Sequence, residues 1–151
     1  MKRFLLDTNI CIHLINGQYN LAAKLDEVGV ANCFLSSITI AELLYGVENS
    51  APARQANNRR NLAELQQLFN GRILSFESAL KDYAVQKAHL KRLGRLQAEF
   101  DILIGCTALA HDLTLVTRNI RHFADLAGIR LENWIDTPPA SELANESATA
   151  G

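Results

Sequence analysis

The chain has 151 residues, with 15 Lys and Arg against 16 Asp and Glu (formal charge −1), 48% apolar residues and 21% charged ones. Those values describe an ordinary globular protein that can bury one core without metal or disulfide staples, and three prolines with eight glycines exclude a low-complexity linker. Near-zero charge argues against a broadly basic nucleic-acid coat, and no apolar run reaches the roughly 18 residues of a membrane span. The opening MKRFLLDTN places a basic pair before Phe4, Leu5 and Leu6, but Asp7 breaks the apolar run too soon for a secretory signal. A cytoplasmic location is expected. Cys11, Cys33 and Cys106 are odd in number and widely spaced in apolar stretches, so they read as buried reduced thiols; no Cys/His spacing suggests zinc.

In chain order, residues 3–6 (RFLL) predict a short buried strand, and Thr8 and Asn9 are good N-caps for a helix through Ile10, Ile12, Leu14 and Ile15. A second helix runs from Leu21 to Val28 and stops at Gly29; a strand follows over 31–36, then a helix opened by Ser37 and Thr39 through Val47. Pro52 marks a turn. Leu62, Leu65, Leu68 and Phe69 share one face of a helix over 56–69, which Gly71 ends before a strand at 72–76. A long helix spans 77–93, with Gly94 as its C′ residue, and from Lys81 to Arg95 the chain carries Lys81, Lys87, Lys91, Arg92 and Arg95 against only Asp82. Residues 98–112 form a nearly all-apolar, buried helix. The remainder reads as a strand at 114–117, a helix at 119–127 closed by Gly128, and a last strand at 130–134. Pro138 and Pro139 open a polar, small-residue tail expected to be disordered, leaving residues 1–136 as one domain and 137–151 as tail.

Short apolar strands alternating with helices predict an α/β three-layer sandwich: a central, mostly parallel sheet covered by helices on both faces. In such sheets the functional crevice lies beyond the carboxyl ends of the strands. Asp7 stands at one such end, and Arg118 with Asn119 at another. No glycine-rich phosphate loop and no GxSxG elbow is present. An aspartate-nucleophile phosphatase would want a second Asp where Asn9 stands.

Three acids sit among apolar neighbours: Asp7 in FLLDTNI, Glu42 in SITIAELLYG and Asp101 in EFDILIGCTALA. A charge in such surroundings must be capped, paired or bound to metal. Asp7 can cap the first helix, Glu42 can form a capping box with Thr39, and Asp101 can favour its helix dipole. Should all three face one cleft, their repulsion calls for a cation, and hard oxygen ligands select Mg²⁺ or Mn²⁺. Glu99, about 200° from Asp101 around the helix, is left out of that set. His13, His89, His111 and His122 read as structural or surface residues, His122 alone lying near the presumed cleft.

The motifs FLLDTNICI, SSITIAELLYG, FDILIGCTALAHDLTLVTRN and RLENW, in this order over residues 3 to about 136, resemble the PIN-domain nucleases, and within them the VapC-type toxins of toxin–antitoxin pairs. The resemblance implies that Asp7, Glu42 and Asp101 hold a divalent metal and that Asn119 takes a fourth acidic or amide position. It also places Thr8 and Thr117 where hydroxyls orient the site. It implies a Mg²⁺-dependent endoribonuclease acting on structured RNA such as tRNA or ribosomal RNA, a small antitoxin that covers the site, and a homodimer. Arg118 is the candidate for gripping phosphate, and Lys87, Lys91, Arg92 and Arg95 for tracking an RNA backbone. Leu43, Leu44 and Val47 offer either a partner groove or plain core. Two other readings stand beside this one: a PIN-like module that binds RNA or protein without cutting, and a nuclease of this fold acting in RNA processing or on DNA.

Overall fold

A computed structural model describes residues 1–136, so the expected tail at 137–151 lies outside the described residues. Five strands form one sheet in the order β3-β2-β1-β4-β5: β1 (Phe4–Leu6), β2 (Cys33–Ser36), β3 (Ile73–Leu74), β4 (Thr114–Val116) and β5 (Leu131–Glu132). Every pairing is parallel; β1 lies at the centre, with Phe4 opposite both Cys33 and Thr114, and Leu6 opposite Val116.

Successive strand residues point to opposite faces, and the helices divide accordingly. Phe4 and Leu6 face one core with Ile10, Leu21, Leu25, Leu62 and Leu65. These come from α1 (Thr8–Ile15), α2 (Leu21–Val28) and α4 (Pro52–Leu68). Leu5 and Leu115 face a second core with Leu90, Ile102 and Ile104, from α5 (Leu80–Leu93) and α6 (Glu99–Ala110). The three-layer α/β sandwich expected from the pattern is thus present. Helix α3 (Ser37–Glu48) touches both cores, through Leu43 and Val47 on one side and Ile38 on the other.

Several boundaries differ from expectation. Asp7, not Thr8 or Asn9, is the N-cap of α1, its carboxylate accepting from the Thr8 amide. Ser36 caps α3 through the Ile38 amide, which moves Thr39 into the helix and removes the capping box proposed with Glu42. Helix α4 starts four residues early because Pro52 occupies its first turn, where a missing N–H costs nothing. The first turn expected of α5 is a separate 3-10 turn at Phe76–Ala79, started by the Ser75 hydroxyl. The helix expected at 119–127 is only one 3-10 turn, Ile120–His122. There the chain turns to drop Phe123 and Leu126 onto Gly105 of α6; a Cβ on Gly105 would lie 2.3 Å from Leu126 Cδ1. Gly94 does end α5, in the left-handed region at φ +68°. All three cysteines are buried and reduced. Among the described residues no helix is long and apolar enough to cross a membrane.

Candidate active site

The strands β1 and β4 end side by side, and their next residues are Asp7 and Thr117, both buried polar groups at the carboxyl edge of the sheet. Asp7 is 5% exposed. Its Oδ1 accepts from the Thr8 amide at 2.8 Å; its Oδ2 accepts from the Thr117 hydroxyl at 2.8 Å and from the Asn9 amide group at 3.1 Å. Thr117 Oγ1 accepts in turn from Asn9 Nδ2 at 3.3 Å and from the Asn119 backbone at 3.0 Å. Asn9 Oδ1 takes the Arg118 backbone amide at 3.1 Å. The first turn of α1 and the turn after β4 are thereby tied around one carboxylate.

Glu42 comes to the same place from α3. Its Oε1 accepts from the Thr8 hydroxyl at 2.6 Å, and Thr8 Oγ1 also lies 3.1 Å from buried Thr39 Oγ1. Asp101 stands in the first turn of α6, where the helix dipole favours an anion. Its Oδ2 lies 3.3 Å from His122 Nδ1. Burial pushes the Asp7 carboxyl up to about 6 from the ordinary 3.8, and the charges of Asp101 and Glu42 push the same way, against the hydrogen bonds from Thr117 and Thr8. Burial also raises Asp101, with His122 opposing.

The structure therefore joins Asp7, Thr8, Glu42 and Thr117 by direct hydrogen bonds and links Asp101 to them through its field. Among the described residues no group of three His, Cys, Asp or Glu side chains is drawn close enough to hold a metal ion as it stands. The donor set still suits a hard cation. It is all oxygen, Glu42 Oε2 and Asp101 Oδ1 make no hydrogen bond among the described residues, and Asp7 carries an unfavourable buried charge that a cation would relieve. Asn119 contributes its backbone only; its side chain is exposed. The amide that reaches Asp7 is Asn9, which sequence reasoning treated as a cap. Nothing local announces that role, since its partner Thr117 is 108 residues away.

Arg118 reaches the rim, but its guanidinium is engaged by Asp136 (Nε to Oδ2, 3.3 Å) and by the Tyr19 hydroxyl at 3.1 Å. The Arg118 guanidinium also sits 5.1 Å from the centre of the Tyr19 ring. Of the basic residues in and just after α5, Lys87 is held by Glu99 and Tyr83, and Arg95 by Asp125 at 3.2 Å. That same Lys87 contact accounts for Glu99 outside the acidic set. Leu43 and Val47 are core, whereas Leu44 is half exposed. Both core residues nonetheless floor a groove of about 320 Å³ between α1, α3 and α4, with Ile12 and Ile15 on one wall, Arg54 on the other, and Glu42 in its lining.

A parallel sheet with acids at its carboxyl edge is compatible with several chemistries, and the PIN domain family model matches residues 4–129. Similar proteins include the tRNA(fMet)-specific endonuclease VapC of Shigella flexneri, 35% identical over 137 residues, covering 89% of this chain and 99% of that one. The toxin FitB of Neisseria gonorrhoeae is 35% identical, covering 82% and 94%. The crystal structure of VapBC2 from Rickettsia felis bound to a DNA fragment from its promoter has a TM-score of 0.77 at 31% identity, covering 87% and 98%. The chain belongs to the PIN-domain family, in its VapC-type branch.

Proposed function

We propose that the protein is a divalent-metal-dependent endoribonuclease of the VapC type, a toxin restrained by a cognate antitoxin. The observation that carries this is the Asp7 carboxylate, buried at the end of the central strand, pushed up first by that burial and further by the charges of Asp101 and Glu42. Relatives named as tRNA-specific endonuclease and as toxin, at 35% identity over most of both chains, support RNA as substrate and tRNA as the first RNA to try.

Asp7, Glu42 and Asp101 would hold the cation, Mg²⁺ or Mn²⁺. When bound, it supplies a water of lowered pKa and neutralises charge on the scissile phosphate. The chain's own groups do the rest. Thr117 and Asn9 fix the direction of Asp7, so that its carboxylate needs no reorganisation. Thr8 fixes Glu42 in the same way and leaves Oε2 to orient a water. Asn119 lies exposed at the rim, within the substrate's path. Arg118, pinned by Asp136 and Tyr19, sets the edge of that path.

The groove between α1, α3 and α4 suits an antitoxin segment, being apolar along its floor and reaching Glu42 at its end. A cytoplasmic homodimer completes the proposal.

Expression without an antitoxin tests it. Wild type is expected to arrest growth and Asp7→Asn is not, and purified wild type should cut tRNA with Mg²⁺ but not with EDTA. Equal toxicity of the two forms, or cleavage that survives EDTA, refutes the assignment.

A further inference from the structure

Beside the acidic cluster lies an open recess of about 340 Å³, lined by Arg118, Asn119, Ile120, Arg121, His122 and Asn133. It shares a wall with the acids on both sides. His122 touches Asp101, and the backbones of Arg118 and Asn119 are fixed to Asn9 and Thr117, which hold Asp7. Among the described residues no carboxylate is in its lining, although Asp136 holds Arg118 and Asn133 from outside it, so Arg121 and His122 are exposed next to a site built of acids. That juxtaposition solves a problem the acids create. A polyanion approaching three carboxylates on a protein of charge −1 is repelled unless cationic groups hold it nearby.

The two arginines are not equivalent. Arg118 already donates to Asp136 and Tyr19. Arg121 is exposed, and no ion pair among the described residues involves it. Its position is nevertheless fixed. It sits in the 3-10 turn Ile120–His122, closed by the bond from the His122 amide to the Asn119 carbonyl at 3.0 Å and anchored by buried Phe123. A guanidinium on a fixed turn, with five donors in a planar fork, is well suited to a phosphate.

We propose that this recess is a phosphate subsite for the RNA backbone, in which Arg121 binds a phosphate adjacent to the scissile one. Asn119 and Asn133 flank it. The proposal rests on the ribonuclease reading for the identity of the polyanion, but its test reads binding separately from cleavage.

Fluorescein-labelled bulk tRNA is titrated with the full-length protein in EDTA, over a range of salt concentrations. Arg121→Gln is expected to weaken binding about tenfold at low salt and to make the salt dependence shallower by about one phosphate contact. Arg121→Lys should restore the salt slope but only part of the affinity, and Arg60→Gln, an exposed change on α4, should bind as wild type does. With Mg²⁺ present, Arg121→Gln should raise KM far more than it lowers kcat. Wild-type affinity and salt slope in Arg121→Gln, or an equal loss in Arg60→Gln, overturns the subsite. Binding that depends on Arg121 in a protein that cuts no RNA would instead uphold the subsite and refute the nuclease.

Discussion

Removing metal from the protein should expose the cost of burying Asp7. Its carboxyl lies at about 6 in the folded protein against an ordinary 3.8. A raised carboxylate favours folding while it is protonated, below about pH 4, and that stability is lost as the pH rises through about 6. The separation between the two values corresponds to about 3 kcal/mol. Asp7→Asn removes the ionisation and also disturbs the hydrogen bonds from Thr117 and Asn9, but that disturbance does not vary with pH. The informative quantity is therefore the difference in unfolding free energy between the two proteins, measured by urea denaturation in EDTA. From about pH 3 to about pH 8, Asp7→Asn should gain about 3 kcal/mol relative to wild type, most of it between about pH 4 and about pH 6. Taking the difference cancels titrations of groups that do not interact with Asp7. A difference that stays flat across this range would refute the reasoning, because it would mean that Asp7 is no more costly to ionise in the fold than in the open chain.

Thr8→Val removes the donor to Glu42 while keeping the shape, and loss of one charge-assisted hydrogen bond predicts about a tenfold fall in kcat on RNA; unchanged turnover would show that Glu42 needs no such support. Gly105→Ala places a Cβ 2.3 Å from Leu126 Cδ1 and 3.3 Å from Phe123 Cδ1. Overpacking of about 2 kcal/mol, partly offset by about 1 kcal/mol of helix propensity, should lower Tm by about 2–4 °C. The loss should vanish in a Leu126→Ala background, and a Gly105→Ala protein as stable as wild type would contradict the close approach.

The layered fold was legible because strand and helix periods differ and because RFLL, TLVT and the apolar run from Ile102 to Ala110 need cover on all sides. Pro52 hid the start of α4, since its first turns, PARQANNRRN, present no apolar face from which to read a period. Ile120, Phe123 and Leu126 fall at helical spacing within the helix expected at 119–127. In the fold Phe123 and Leu126 are placed instead by the notch at Gly105, a contact with a different element. The acids were visible because charge among apolar neighbours is conspicuous. Their supports, beyond Thr8 and Thr117, were not. Asn9 meets Thr117, and Tyr19 meets Arg118, across 108 and 99 residues, and no local pattern encodes such pairs. Arg118 shows the converse: its charge was easy to see, but its engagement by Asp136 was not.

The central claim is that Asp7, Glu42 and Asp101 act together on one divalent cation. Titrating the protein with Mn²⁺ and following free metal by electron paramagnetic resonance measures this without any RNA. Wild type should bind Mn²⁺ in competition with Mg²⁺, and Asp7→Asn and Asp101→Asn, folded by circular dichroism, should each lose that binding. Retention of wild-type Mn²⁺ affinity in both variants would contradict the account.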